Sequence, residues 1–190
     1  MKRKCILWIN LFLVFMLVAG LVVPHTSIKA EAKTKKKQVL IVYFSATGTT
    51  KSAAKKIKKA TGGKLYQIKA AEPYTSEDLD YNNENCRANK EQNNENARPG
   101  ISGKVKNIRK YDLIFVGFPI WWGKEPMIIR TFLESYNLEG KKVVTFCTSG
   151  GSGISGSTDG IKTAAKGAEV IEGKDLTDVP YKSVQKWVNQ

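Results

Sequence analysis

Apolar positions along the chain fall into two kinds of run. Val39 to Phe44, Tyr111 to Pro119 and Val143 to Cys147 are short, nearly unbroken, and rich in β-branched and aromatic residues. Such runs predict strands buried on both faces, as in a parallel sheet. Between them the period lengthens. Ala53, Ala54, Ile57 and Ala60 share one face of a predicted helix, with Lys51, Lys55, Lys56, Lys58 and Lys59 on the other. Ile129, Phe132, Leu133 and Tyr136 repeat at helical spacing after Pro126, a residue suited to a helix start. Lys64 to Ala70 alternates apolar and polar, which predicts a second strand at a sheet edge after the helix stop Gly62-Gly63. A helix around 157–166, a short fifth strand around 168–172 and a last helix at about 180–189 complete the series. Strand and helix alternate throughout, so the expected class is α/β, with right-handed crossovers and helices on both faces of the sheet.

Residues 71–103 break the rhythm. Glu72-Pro73-Tyr74 is followed by Asp78, Asp80 and Tyr81, then by a run rich in Asn, Glu, Lys and Arg. A polar helix over 84–96, stopped by Pro99-Gly100, is the expectation. A connection this long inside a compact domain reads as the cover of a binding site or as a mobile loop. It is not a calcium loop: Asp78, Asp80 and Asn82 match the first ligand positions, but Asn83 replaces the required Gly and Asn89 the closing Glu.

The first 32 residues follow a different grammar. Lys2, Arg3 and Lys4 precede Ile6 to Val23, 18 residues that are apolar except for Asn10, and Ala30-Glu31-Ala32 supplies small residues at a cleavage spacing. This is the pattern of an export signal. The alternative is an uncleaved anchor, since the run just reaches the length of a membrane span. Either way the remainder is expected outside the cytoplasmic membrane. No Cys directly follows the apolar run, against a lipid-modified N-terminus. Residues 33–37 form a basic spacer, and 38–190 are of a length for one domain with a real core. The leading segment carries four basic residues and one acidic one, so its removal lowers the formal charge from +14 to +11.

That balance, and one absence, narrow the chemistry. The single histidine, His25, lies in the leading segment. The domain therefore has no imidazole for a Ser-His or Cys-His nucleophile, a zinc site or a general base. Cys86 and Cys147 are its only cysteines, and Cys147, ending a central strand, reads as a buried free thiol. A phosphatase loop would need Arg where Gly153 stands. Gly151-x-Gly153-x-x-Gly156 matches a dinucleotide fingerprint in letters only, because it follows the wrong strand.

In open α/β sheets ligands bind beyond the carboxyl ends of the strands. Three strands here end in unusual loops. The first ends in Ser45, Ala46, Thr47, Gly48, Thr49 and Thr50 and opens a helix, whose free N–H groups and partial positive charge can seat a phosphate. The third ends in Pro119-Ile120-Trp121-Trp122-Gly123, an aromatic wall. The fourth ends in Thr148-Ser149-Gly150-Gly151-Ser152, where backbone can approach a ligand closely. Together they suit a planar heteroaromatic ligand with a phosphate tail.

Ser45, Thr47, Gly48 and Thr50 fit every fixed position of the phosphate loop Ser/Thr-x-Thr-Gly-x-Thr. With the Trp-Trp-Gly and Thr-Ser-Gly-Gly-Ser loops, and the Glu72-Pro73-Tyr74 and Ala97-Arg98-Pro99 segments, the chain from residue 38 resembles an FMN-binding subfamily of the flavodoxin-like proteins. The resemblance implies a doubly wound five-stranded parallel sheet of order 2-1-3-4-5 and FMN held without a covalent bond. It implies that Ser45, Thr47, Gly48, Thr49 and Thr50 hold the phosphate. Pro119, Trp121, Trp122 and Gly123 would flank the isoalloxazine, and Thr148, Ser149, Gly150, Gly151 and Ser152 would face its polar edge. It further implies electron or hydride transfer by the flavin, with no acid–base residue nominated.

One departure follows from charge. Electron-carrier flavodoxins are typically acidic, whereas this domain is strongly basic. Its redox partner is therefore expected to be anionic, a nicotinamide dinucleotide or an acidic protein, with a quinone as a further candidate, the anionic cell envelope as a further contact and no nucleic acid. The alternative is a non-enzymatic flavin-binding or envelope-binding module on the same fold.

Overall fold

The computed structural model describes residues 37–190; the predicted signal or anchor segment and the spacer up to residue 36 lie outside the described residues. In chain order the elements are strand β1 (Val39–Tyr43), helix α1 (Thr49–Thr61), strands β2 (Lys64–Gln67) and β3 (Lys69–Ala70), helix α2 (Arg87–Gln92), strands β4 (Ile101–Ser102) and β5 (Leu113–Pro119), helix α3 (Met127–Glu134), strand β6 (Lys142–Thr148), helix α4 (Thr158–Ala164), strand β7 (Glu169–Asp175) and helix α5 (Tyr181–Val188). Five strands make one sheet in the order β2-β1-β5-β6-β7, every neighbouring pair parallel. Numbered among themselves, these strands run 2-1-3-4-5, the expected doubly wound order.

Each central strand is buried on both faces, and its period of two divides the core into two layers. From β1, Ile41 and Tyr43 join Phe115, Phe146, Ala53, Ala54, Ile57 and Val184 under α1 and α5. Leu40 and Val42 join Ile114, Val116, Ile128, Ile129, Phe132, Leu133 and Ile161 under α3 and α4. Full burial of each large aliphatic or Phe side chain stabilises the fold by about 1.5–3 kcal/mol, so these two layers supply the main drive to fold. At Gly117 the sheet is too crowded for a side chain: an added Cβ would sit inside the Phe146 ring on the neighbouring strand.

Three expectations need correction. The second strand does not run unbroken to Ala70. Ile68 N–H still reaches the Tyr43 carbonyl at 2.8 Å, but the chain then turns and β3 pairs antiparallel with β4. A two-stranded clasp thus closes the base of the long connection, reinforced by Ala71 N–H donating to the Gly100 carbonyl at 2.8 Å. The helix expected over 84–96 shrinks to α2. Cys86 Sγ accepts the Asn89 N–H at one end, and Asn93 closes the other. Its Asn-rich flanks prefer turns that bond side chain to backbone, as Asn83 and Asn94 do here. The fifth strand is longer than expected, extending to Asp175 through an irregularity opposite Val144–Phe146 that alternating apolar residues do not announce.

Cys86 and Cys147 are both buried free thiols. Among the described residues no helix is long and apolar enough to cross a membrane.

Candidate functional site

Three loops converge at the carboxyl ends of β1, β5 and β6. The first is tightened by Gly48, whose φ of 99° lies in the left-handed region where a side chain would be strained. This lets the chain turn directly from strand into α1. Ser45 Oγ accepts the N–H of Gly48 at 3.1 Å and of Lys51 at 3.3 Å. The N–H groups of Thr49 and Thr50 find no acceptor among the described residues and remain available at the positive end of the helix dipole. The Thr50 hydroxyl is instead buried against that of Thr148, Oγ1 to Oγ1 at 2.8 Å, stitching the first loop to the end of β6.

The second loop divides its tryptophans. Trp121 and Lys124 exchange backbone hydrogen bonds of 2.9 and 3.0 Å around a tight turn whose central residues, Trp122 and Gly123, have φ of 46° and 79°. A tryptophan in the left-handed region is uncommon and locally strained. The turn drives Trp121 inward, 3% exposed, edge-on to Phe44 at 5.6 Å and Tyr74 at 5.2 Å between ring centres. Trp122 points out, 40% exposed, its ring 4.6 Å from that of Tyr81.

The long connection braces this turn. Gln92, at the end of α2, donates through Nε2 to the carbonyls of Trp121 (3.0 Å) and Glu125 (3.2 Å), and its Oε1 accepts the Met127 N–H at 3.2 Å. Glu125 is fully buried and ion-paired to Arg130 at 2.8 Å. Tyr74 donates to Glu91 Oε2 at 2.5 Å; burial, then that bond, hold its hydroxyl far above the ordinary phenol range.

In the third loop one hydroxyl gathers the backbone. Ser149 Oγ accepts the N–H groups of Gly151, Ser152 and Gly153 at 2.9, 2.8 and 3.3 Å. Thr177 Oγ1 accepts the Ser149 N–H at 2.8 Å and itself lies 2.6 Å from Asp175 Oδ1. Just beneath, burial and the Asp175 charge push the Cys147 thiol up to about 12.

Between the loops lies a cleft of about 300 Å³, lined by Thr47 and Thr49 from the first loop, Pro119 and Ile120 from the second, Thr148, Ser149 and Gly150 from the third, and Thr177. The structure therefore brings six of the expected site residues to one cleft. Ser45, Gly48 and Thr50 shape the first loop from behind, while Gly151 and Ser152 continue the third loop outside the lining. Trp122 and Gly123 form the turn after Ile120 and are not in the lining. Trp121 does not flank the cleft: its ring belongs to the core, because two successive side chains of a tight turn cannot face the same way. Thr177, Gln92 and Tyr81 escaped the sequence reading. Only Tyr81 carries a signal there, as an aromatic residue in an otherwise polar stretch.

Every lining side chain is uncharged, and none titrates near neutrality. The arrangement can hold an anion at the helix start and a flat, neutral group against Pro119, Ile120 and the glycine loop. It offers no protein acid or base. Among the described residues no group of His, Cys, Asp and Glu could hold a metal ion. A larger hollow of about 410 Å³ lies on the other side of the first loop's Ser45 and Ala46, between Phe44, Ile68, Lys69 and Tyr74.

Residues 38–190 match the flavodoxin family. Among solved structures, a Bacteroides eggerthii protein assigned to the flavoproteins is 46% identical with a TM-score of 0.76, over 80% of this chain and 96% of its own. One from Bacteroides uniformis, assigned likewise, is 38% identical with a TM-score of 0.78, over 82% of this chain and 100% of its own, so that relative's folded chain corresponds to this domain alone. A flavoprotein from Lactobacillus acidophilus, solved in complex with FMN, is 29% identical with a TM-score of 0.62, over 80% and 99% of the two chains. No curated protein matches the sequence.

Proposed function

The chain belongs to the flavodoxin family, and on that premise we propose that it binds FMN in the cleft between the three loops and works as a redox protein outside the cytoplasmic membrane. The observation that carries this reading is the meeting of free helix N–H groups with an uncharged, flat-walled cleft. The residues present fit the cofactor. Thr49 and Thr50 N–H groups, with the hydroxyls of Thr47 and Thr49, suit a phosphate, and no lining carboxylate would repel it. Pro119 and Ile120 suit one face of the ring system, and the backbone of Ser149 and Gly150 suits its polar edge. The FMN complex of the Lactobacillus relative supports the same assignment.

When bound, the flavin supplies electron or hydride transfer at its ring. The protein's part is positional. The Thr50–Thr148 hydroxyl pair fixes the phosphate seat relative to the third loop. Gln92 holds the turn that presents Trp122, and Ser149 draws the glycine loop into one conformation. Since no titrating group lines the cleft, protons accompanying electron transfer would come from solvent or from the redox partner. That partner is a nicotinamide dinucleotide, a quinone or an anionic protein. The absence of a lining acid or base is also the observation that favours the second reading, a flavin-binding module without turnover.

The test is to add FMN to residues 33–190, remove the excess by gel filtration, and record the visible spectrum. Retained bands near ~375 and ~450 nm, as expected of protein-held oxidised flavin, establish the binding. Complete washout with unquenched flavin fluorescence overturns it. Reduction of retained flavin by NADH then separates an enzyme from a carrier or binding module.

A further inference from the structure

The layer formed by α1 and α5 carries a cluster of lysines without acidic partners. α1 carries Lys51, Lys55, Lys56, Lys58 and Lys59, α5 carries Lys182 and Lys186, and neither helix has a single Asp or Glu. Two of these lysines tie α1 to α5 and the turn before it: Lys56 Nζ donates to the Val179 carbonyl at 2.8 Å, and Lys59 Nζ lies 4.4 Å from the centre of the Tyr181 ring. Lys51, Lys55, Lys58, Lys182 and Lys186 are exposed. None of the seven takes part in an ion pair among the described residues. The pairs that do form are Arg87–Glu91, Arg98–Glu134, Lys124–Glu95 and Arg130–Glu125 on the side of α2 and α3, and Lys142–Glu169 at the start of β6 and β7. The carboxylates that precede α5 in the chain are Asp175, at the end of β7, and Asp178, in the turn between them.

We propose that the α1/α5 layer docks onto a bilayer bearing anionic phospholipid headgroups. Three observations choose this partner. A cluster of this size and single sign is what anionic lipid attracts, each lysine near such a surface strengthening binding about fivefold. A protein interface would need an apolar centre that excludes water, yet the large exposed apolar residues, Tyr81 and Trp122, lie elsewhere. The chain also enters the domain beside this layer: Lys37 and Thr61, the last residue of α1, line the same hollow. The lysine-rich residues 33–37 precede this point directly in the sequence. The cleft at the carboxyl edge of the sheet takes no residue from the exposed lysines and stays open.

The experiment is co-sedimentation of residues 33–190 with vesicles of phosphatidylcholine, with and without about 30% phosphatidylglycerol, at ~0.15 M and ~1 M salt. Two variants of equal charge are compared, both retaining the spacer. One replaces Lys55, Lys58, Lys182 and Lys186 by Gln; the other replaces Lys90, Lys104, Lys106 and Lys166. The wild type is expected to bind only the anionic vesicles and to release at high salt. The first variant should lose ~100-fold or more in partitioning, and the second less than ~3-fold, with circular dichroism unchanged in both. Equal losses in the two variants would overturn the proposal, as would binding to neutral vesicles or tighter binding to duplex DNA or polyglutamate at the same salt. None of these readings depends on flavin occupancy, so failure here and failure of FMN binding are separable.

Discussion

At the residue scale, the site depends on polar groups that the fold buries in pairs. Thr50 and Thr148 share one hydrogen bond with both side chains out of water. Thr50→Val keeps the shape but leaves the Thr148 hydroxyl unsatisfied, which costs about 1–3 kcal/mol; a lowered urea midpoint and a weakened FMN affinity are expected together. Gln92→Leu is more severe, since two carbonyls and one N–H lose their partner at once. Its unfolding midpoint should drop further than that of Thr50→Val, and Trp122 emission should shift as its turn loosens. Cys147 sets the alkaline limit. Burial raises its thiol from 9.0 to about 12, so between those pH values the native state alone keeps it neutral. That contribution is complete below pH 9 and is lost as pH rises from 9 toward 12. Urea midpoints should be level from pH 7 to 8.5 and fall above 9, with Cys147→Ala showing a shallower fall.

At the scale of elements, the legible parts are those whose pattern is local. The run Val39–Phe44 and the hydroxyl-rich turn after it contain, within a dozen positions, a buried strand, a left-handed Gly48 and the start of α1, and all are where the residues place them. α2 is shorter than its polar pattern predicts because six helical residues among asparagines are held by tertiary contacts, through Gln92, that no window of sequence records. Thr177 was missed for a similar reason: it reaches the cleft only because β7 runs on beside β6. Gly117 shows the converse, a residue legible as strand but not as indispensable. Gly117→Ala should overlap Phe146 and cost about 1–3 kcal/mol or more, read as a lower thermal midpoint, with Gly117→Ala plus Phe146→Leu partly restored.

For the whole molecule, the two sides of the sheet do different work. The side of α3 and α4 carries the long connection, which is clasped at its base by β3 and β4 and reaches over to brace the Trp turn. The side of α1 and α5 is simple and uniformly basic. Charge of one sign on one layer also predicts a purification behaviour: retention on a cation exchanger should fall further in the Lys55/Lys58/Lys182/Lys186 variant than in its equally charged control, because a column senses the local patch before the net charge.

The division of the two adjacent tryptophans has an optical consequence. Trp121 emits from inside the protein and Trp187 from a half-buried position, whereas Trp122 emits in contact with water. A flavin arriving beside Trp122 would accept its excitation, while the interior rings mark the integrity of the fold. The domain thus carries its own two-channel reporter. Loss of the red edge of the emission would follow cofactor capture, and a later shift of the blue component would follow unfolding, with no label attached.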